Sequence, residues 1–124
     1  MTVLVDSDIL IGISRGRDTR TLERWMELAE SGDFVLCSPV SVAELWHGAR
    51  PKEHRVLTNL FGNLICVPVD IEVGRQAGEY LRRYHKSHGV ELGDALIASA
   101  ASLRNAALWT RNRKRYPMKG LSFW

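Results

Sequence analysis

Long hydrophobic runs are missing from this chain, and so is any surplus of cysteine, proline or low-complexity sequence. No apolar run approaches the roughly 20 residues that a membrane helix needs. The first residues carry neither a basic segment ahead of an apolar stretch nor a small-residue cleavage pattern, so the expected compartment is the cytoplasm. There are only two cysteines, Cys37 and Cys66, each inside a strand-like apolar run. In that setting they read as small buried hydrophobes, not as a disulfide or a metal site. Acids are absent after Asp94, whereas Arg104, Arg111, Arg113, Lys114, Arg115 and Lys119 follow it. A one-sided basic segment suits an anionic partner such as nucleic acid, with a merely solvated edge as the plainer alternative.

What is present is ordinary for a globular domain: 124 residues, 45% hydrophobic and 25% charged, with a formal charge of +3. That length is one domain, residues 1–124, with a core that needs no staples.

The chain is organised around Val3-Leu4-Val5-Asp6-Ser7-Asp8. A short apolar run stopped by turn formers reads as a buried parallel strand, and ligands of open α/β sheets collect at the carboxyl ends of such strands. Ser7 or Asp8 can cap a short helix that Gly16 ends, and Thr19 to Ser31 has helical periodicity. Phe34 to Cys37 is a second strand, and Ser38-Pro39 announces a helix carrying Glu44. Glu53 to Phe61 is a further helix. Leu64 to Val69 is a third strand, Asp70 caps a long helix ended by Gly89, and Gly93-Asp94 opens a largely apolar helix running to Asn105. Ala107 to Thr110 is the fourth strand. Strands alternating with helices predict a three-layer α/β/α sandwich around a mainly parallel sheet.

Three carboxylates stand apart from the periodicity. Asp6 ends the first strand, Glu44 lies early in the helix after the second, and Asp94 starts the apolar helix. Each has a plain structural role open to it, as a turn former, capping-box member or N-cap. Together they fall on one predicted edge of the sheet. Carboxylates gathered there stay ionised only if a cation neutralises them, and hard oxygen donors select Mg²⁺ or Mn²⁺. A carboxylate-held Mg²⁺ beside a basic surface suits phosphodiester hydrolysis, with Arg and Lys on the flanking phosphates.

These residues carry a family resemblance. Asp6 in VLVDSDILI, Glu44 in SPVSVAELWHGA, Asp94 in GDALIASAA, and the stretch LWTRNRKRYP resemble, in order and spacing, the PIN domain, especially the VapC-type toxin ribonucleases. The resemblance runs from Met1 to about Pro117. It implies a Mg²⁺-dependent endoribonuclease (Mn²⁺ substituting), a homodimer, an RNA substrate and a cognate antitoxin that inserts into the active-site groove. By that pattern Asp6, Glu44 and Asp94 are metal-binding catalytic acids.

Many members carry a fourth acid after the last strand, where this chain has Thr110-Arg111-Asn112. Asn112 can hydrogen-bond near an ion but adds no charge. Ser7, Thr110, Arg111 and Asn112 are candidate supporting residues. Asp8 is either an extra acid or a capping residue, and Glu91 either a neighbour of the pocket or a loop acid. His47, His54, His85 and His88 show no ligand spacing, and the four tryptophans read as packing. Two rivals remain at this point: a haloacid-dehalogenase-like phosphohydrolase, suggested by the opening Asp-x-Asp, and a non-catalytic PIN-like module that holds RNA or protein.

Overall fold

A computed structural model describes residues 1–124. Four strands form one sheet: β1 (Thr2–Val5), β2 (Phe34–Cys37), β3 (Ile65–Cys66) and β4 (Ala107–Trp109), ordered β3-β2-β1-β4, with every pairing parallel. Six helices cover it: α1 (Ser7–Arg15), α2 (Thr19–Glu30), α3 (Pro39–His47), α4 (His54–Gly62), α5 (Ile71–His88) and α6 (Leu92–Leu103).

The period-2 geometry of β1 divides the core in two. Val3 and Val5 point with Cys37 and Trp109 into a layer closed by Leu10 of α1, Leu28 of α2, Leu45 of α3 and Leu57 of α4. Leu4 points the other way with Leu36 and Leu108, against Ala77 and Tyr80 of α5 and Ile97 and Ala98 of α6. All three apolar residues of β1 are fully buried, each contributing about 1.5–3 kcal/mol. The expected three-layer α/β/α sandwich is the observed architecture, and its sheet is wholly parallel.

The helix boundaries follow local chemistry. Gly16, at φ 62°, closes α1 in the left-handed conformation that favours glycine, and Gly89, at φ 66°, closes α5 in the same way. Ser38 accepts a hydrogen bond from Val40 N with Pro39 next, and Asp70 accepts one from Val73 N.

Three expectations change. The third strand is only Ile65–Cys66, because Val67 already leaves the ladder after donating its N–H to Cys37 O. Cys66, on that edge, is exposed; only Cys37 behaves as a buried hydrophobe, its thiol pushed up to about 12 by burial and by the neighbouring Cys66. The apolar helix begins earlier than Gly93: Glu91 is its N-cap and Asp94 its third residue.

Candidate active site

Because all four strands run the same way, their carboxyl ends meet at one rim. Asp6 follows the last residue of β1, Ser38 that of β2, and Thr110 that of β4. The helices that start there bring Ser7 and Asp8 on α1, Ser41 and Glu44 on α3, and Asp94 on α6.

Asp6 is wholly buried, a costly place for a carboxylate unless it is bonded. Its Oδ1 accepts from Ser7 N at 2.7 Å, capping α1, and its Oδ2 accepts from Thr110 Oγ1 at 2.8 Å. Asp8 Oδ2 accepts from the Arg111 backbone N–H at 3.1 Å, with Thr110 Oγ1 3.4 Å away. Asp8 Oδ1 is buried and has no partner. Asp94 is buried too. Its Oδ2 takes the Glu91 N–H at 3.2 Å, so the carboxylate completes a capping box and is not itself the N-cap. Glu44 is more exposed; its Oε1 lies 3.0 Å from Ser7 Oγ, which also sits 2.8 Å from Ser41 Oγ.

Arg115 ties the acids together. Its Nη2 is 3.5 Å from Asp6 Oδ2 and its Nε 3.4 Å from Asp94 Oδ1. Burial works against charge on this side chain, but Asp94, Tyr116 and Asp6 outweigh it and hold the guanidinium more firmly protonated. The carboxyls feel the reverse. Burial raises Asp8 and the Asp6 charge adds to it, against the opposing pull of Arg111 N–H, Ile9 N–H and Arg115. Burial also raises Asp94, outweighing the Glu91 N–H and Arg115. The Tyr116 hydroxyl, buried near Asp6 without a well-formed hydrogen bond, is pushed up by the same two causes, burial first. This rim carries more negative charge than one arginine satisfies.

A cleft of about 610 Å³ opens over the rim, lined by Glu44, Glu91, Asp94, Asn112, Lys114 and Arg115 among others. Of the candidate residues, Asp6, Asp8, Asp94, Ser7 and Thr110 are thus linked directly or through Arg115, and Glu44 joins through Ser7. Glu91 and Asn112 line the cleft. Arg111 departs from expectation. Its backbone serves Asp8, but its guanidinium turns to Asp18 Oδ2 at 3.1 Å and Thr21 Oγ1 at 3.0 Å. Arg115 and Tyr116 enter unannounced; in the sequence Arg115 is one basic residue among several.

As the side chains stand, no three of the histidine, cysteine, aspartate and glutamate groups close around a single point. The donor set nevertheless fits a hard cation. It consists of carboxylate oxygens, one of them buried and unpartnered, held by bonds that leave other lone pairs free.

The PIN domain family model matches residues 3–119. The chain belongs to the PIN domain family. It is 37% identical over 117 residues to ribonuclease VapC10 of Mycobacterium tuberculosis (strain H37Rv), covering 94% of this chain and 86% of that one. Its PIN fold superposes on VapBC2 from Rickettsia felis, bound to a DNA fragment from its promoter, with a TM-score of 0.83 at 22% identity, covering 100% of this chain and 98% of that one. A toxin–antitoxin complex from Klebsiella pneumoniae gives a TM-score of 0.69 at 22% identity, covering 95% and 92%. Membership of the PIN family sets aside the haloacid-dehalogenase-like reading of Asp6-x-Asp8.

Proposed function

We propose that this PIN domain is a Mg²⁺-dependent endoribonuclease of the VapC type, the toxin of a toxin–antitoxin pair, with Mn²⁺ able to substitute. The observation that carries the reading is the convergence of Asp6, Asp8 and Asp94 on the rim where the parallel strands end, with more negative charge than Arg115 neutralises. The ribonuclease assignment of a relative 37% identical over most of the chain supports the same chemistry.

Asp6 and Asp94 would hold the ion, with Glu44 reaching it from α3 and Asp8 from α1. When bound, such an ion activates water and stabilises negative charge on the phosphate. Thr110 orients Asp6 by donating to its Oδ2, and Ser7 sits against Glu44 to fix the direction of its carboxylate. Asn112 offers a neutral hydrogen-bonding edge to the cleft and Lys114 a cation for the phosphates that flank the cut. The partners of this reading are an RNA substrate, a cognate antitoxin and a second copy of the chain in a homodimer. Its place of action is the cytoplasm; no helix is long and apolar enough to cross a membrane.

The test is cleavage of a single-stranded RNA with Mg²⁺ and with a chelator. Asp6→Asn, Asp94→Asn and Glu44→Gln should each lose more than about a hundredfold in rate, beyond what the loss of an outer contact to a metal ligand costs, with unchanged circular dichroism. Cleavage that persists in chelator sinks the metal-dependent reading. A variant that keeps its rate takes that residue out of the mechanism. The same assay separates this reading from a non-catalytic RNA-holding module, which binds the RNA and leaves it whole.

A further inference from the structure

Arg115 stands where the two most deeply held acids face each other, spanning from the end of β1 to the first turn of α6. Three features mark this bridge as exchangeable. Its contacts to Asp6 and Asp94, 3.5 and 3.4 Å, are long beside the roughly 2.7–2.9 Å of a good charge-assisted bond, and neither is a two-pronged grip. The Arg115 side chain is 42% exposed while that of Asp6 is 0% exposed, so the arginine arm can leave toward solvent and the carboxylate cannot follow it. The bridge also leaves Asp8 Oδ1 buried without a partner. A compact ion of twice the charge would answer those oxygens better than one guanidinium.

We propose that Arg115 is the built-in counter-cation of this cleft, neutralising Asp6 and Asp94 in the ion-free protein and giving way when a divalent cation binds. The proposal rests on the metallonuclease reading above. It makes ion binding a competition: the oxygens that face Arg115 are among those the ion needs, so the two cannot hold them together. If the bridge is closed in about nine molecules in ten, the apparent ion affinity is about tenfold weaker than that of the open cleft. A guanidinium here therefore sets how much free cation the protein requires, while keeping its buried acids neutralised in the meantime.

The experiment is titration of the RNA-free protein with Mn²⁺, read by calorimetry, for the unaltered chain, Arg115→Gln and Arg115→Lys. Arg115→Gln should bind Mn²⁺ about tenfold more tightly. Adding millimolar guanidinium chloride should return its affinity toward that of the unaltered chain, whereas sodium chloride at equal ionic strength should not. A purely structural role for Arg115 predicts no such rescue. If the unaltered chain binds Mn²⁺ and Arg115→Gln binds it equally or less tightly, the counter-cation proposal falls and the nuclease reading stands. If neither binds, both fall. Should Arg115→Gln not fold, Arg115→Lys decides. Its single ammonium cannot span both carboxylates, so tighter Mn²⁺ binding supports the proposal and unchanged or weaker binding overturns it.

Discussion

Thr110 couples the acids of the rim through one hydroxyl. It donates its single proton to Asp6 and accepts from Asn112 N at 3.1 Å, with Asp8 within reach. Thr110→Val keeps the shape and strands both partners, so it should cost about 1–3 kcal/mol in chemical denaturation. A second expectation at this scale concerns pH. The folded carboxyls of Asp8 and Asp94 lie above the ordinary aspartate value of 3.8, burial being the main cause for both. Between that value and their raised ones, the folded chain holds more protons than the unfolded chain. The stability they contribute is therefore present at low pH and lost as pH rises through that window. Asp18, lowered first by its Thr21 hydrogen bonds, and Glu53, lowered by Arg50, act in the opposite sense and lose their contribution on acidification. An ion must displace whatever protons the raised carboxyls hold. Mn²⁺ affinity measured by calorimetry on acidification should thus begin to fall at a higher pH than it would if these groups were ordinary aspartates. An affinity that falls only where ordinary aspartates protonate would contradict the raised values. Asp6 and Asp94 are legible in the sequence as misplaced acids. Arg115 is not, because only the fold decides where its long arm reaches.

Helix starts hold most of the candidate groups. Ser38 is completely buried, and its Oγ accepts the Val40 N–H at 3.1 Å, anchoring the helix that carries Ser41 and Glu44. Ser38→Ala should destabilise the protein by about 1 kcal/mol, seen as a lower Tm. It should weaken cleavage less than Glu44→Gln does, since it shifts the start of α3 without removing the carboxylate. Caps of this kind are local and legible: Ser38-Pro39, Asp70 and Gly89 each mark the boundary that forms. The start of α6 is less so. Glu91 and Asp94 are both acids at a helix entrance, and the choice between cap and third residue rests on backbone angles, with Glu91 extended at φ −93° and ψ 166°. Strand length is harder still. Leu64 to Val69 is apolar throughout, yet pairing stops after two residues because a strand continues only where its neighbour offers a partner. On α5, Ala77 is buried against α6 while Gly74 and Gly78 stay open.

At the scale of the molecule, strand direction gathers residues more than a hundred positions apart, as the Asp6–Thr110 bond shows. The alternation of strands and helices makes that rim foreseeable, since parallel neighbours need crossovers and crossovers return each strand the same way round. Of the basic residues after Asp94, Lys114 and Arg115 then line the cleft beside the acids. If RNA follows the cleft, Lys114→Gln in a cleavage-dead Asp6→Asn background should weaken RNA binding and reduce the slope of log affinity against log salt by about 0.7. An unchanged slope would place the RNA backbone elsewhere. The segment after Met118 has a different consequence. Ser122 O accepts from Leu108 N, Trp124 N donates to Leu108 O, and the Trp124 ring meets Trp109 edge-on under the Arg24 guanidinium. The outer side of β4 is thereby stitched shut by the chain's own tail. At the opposite edge, the two residues of β3 offer a foreign strand only a short template.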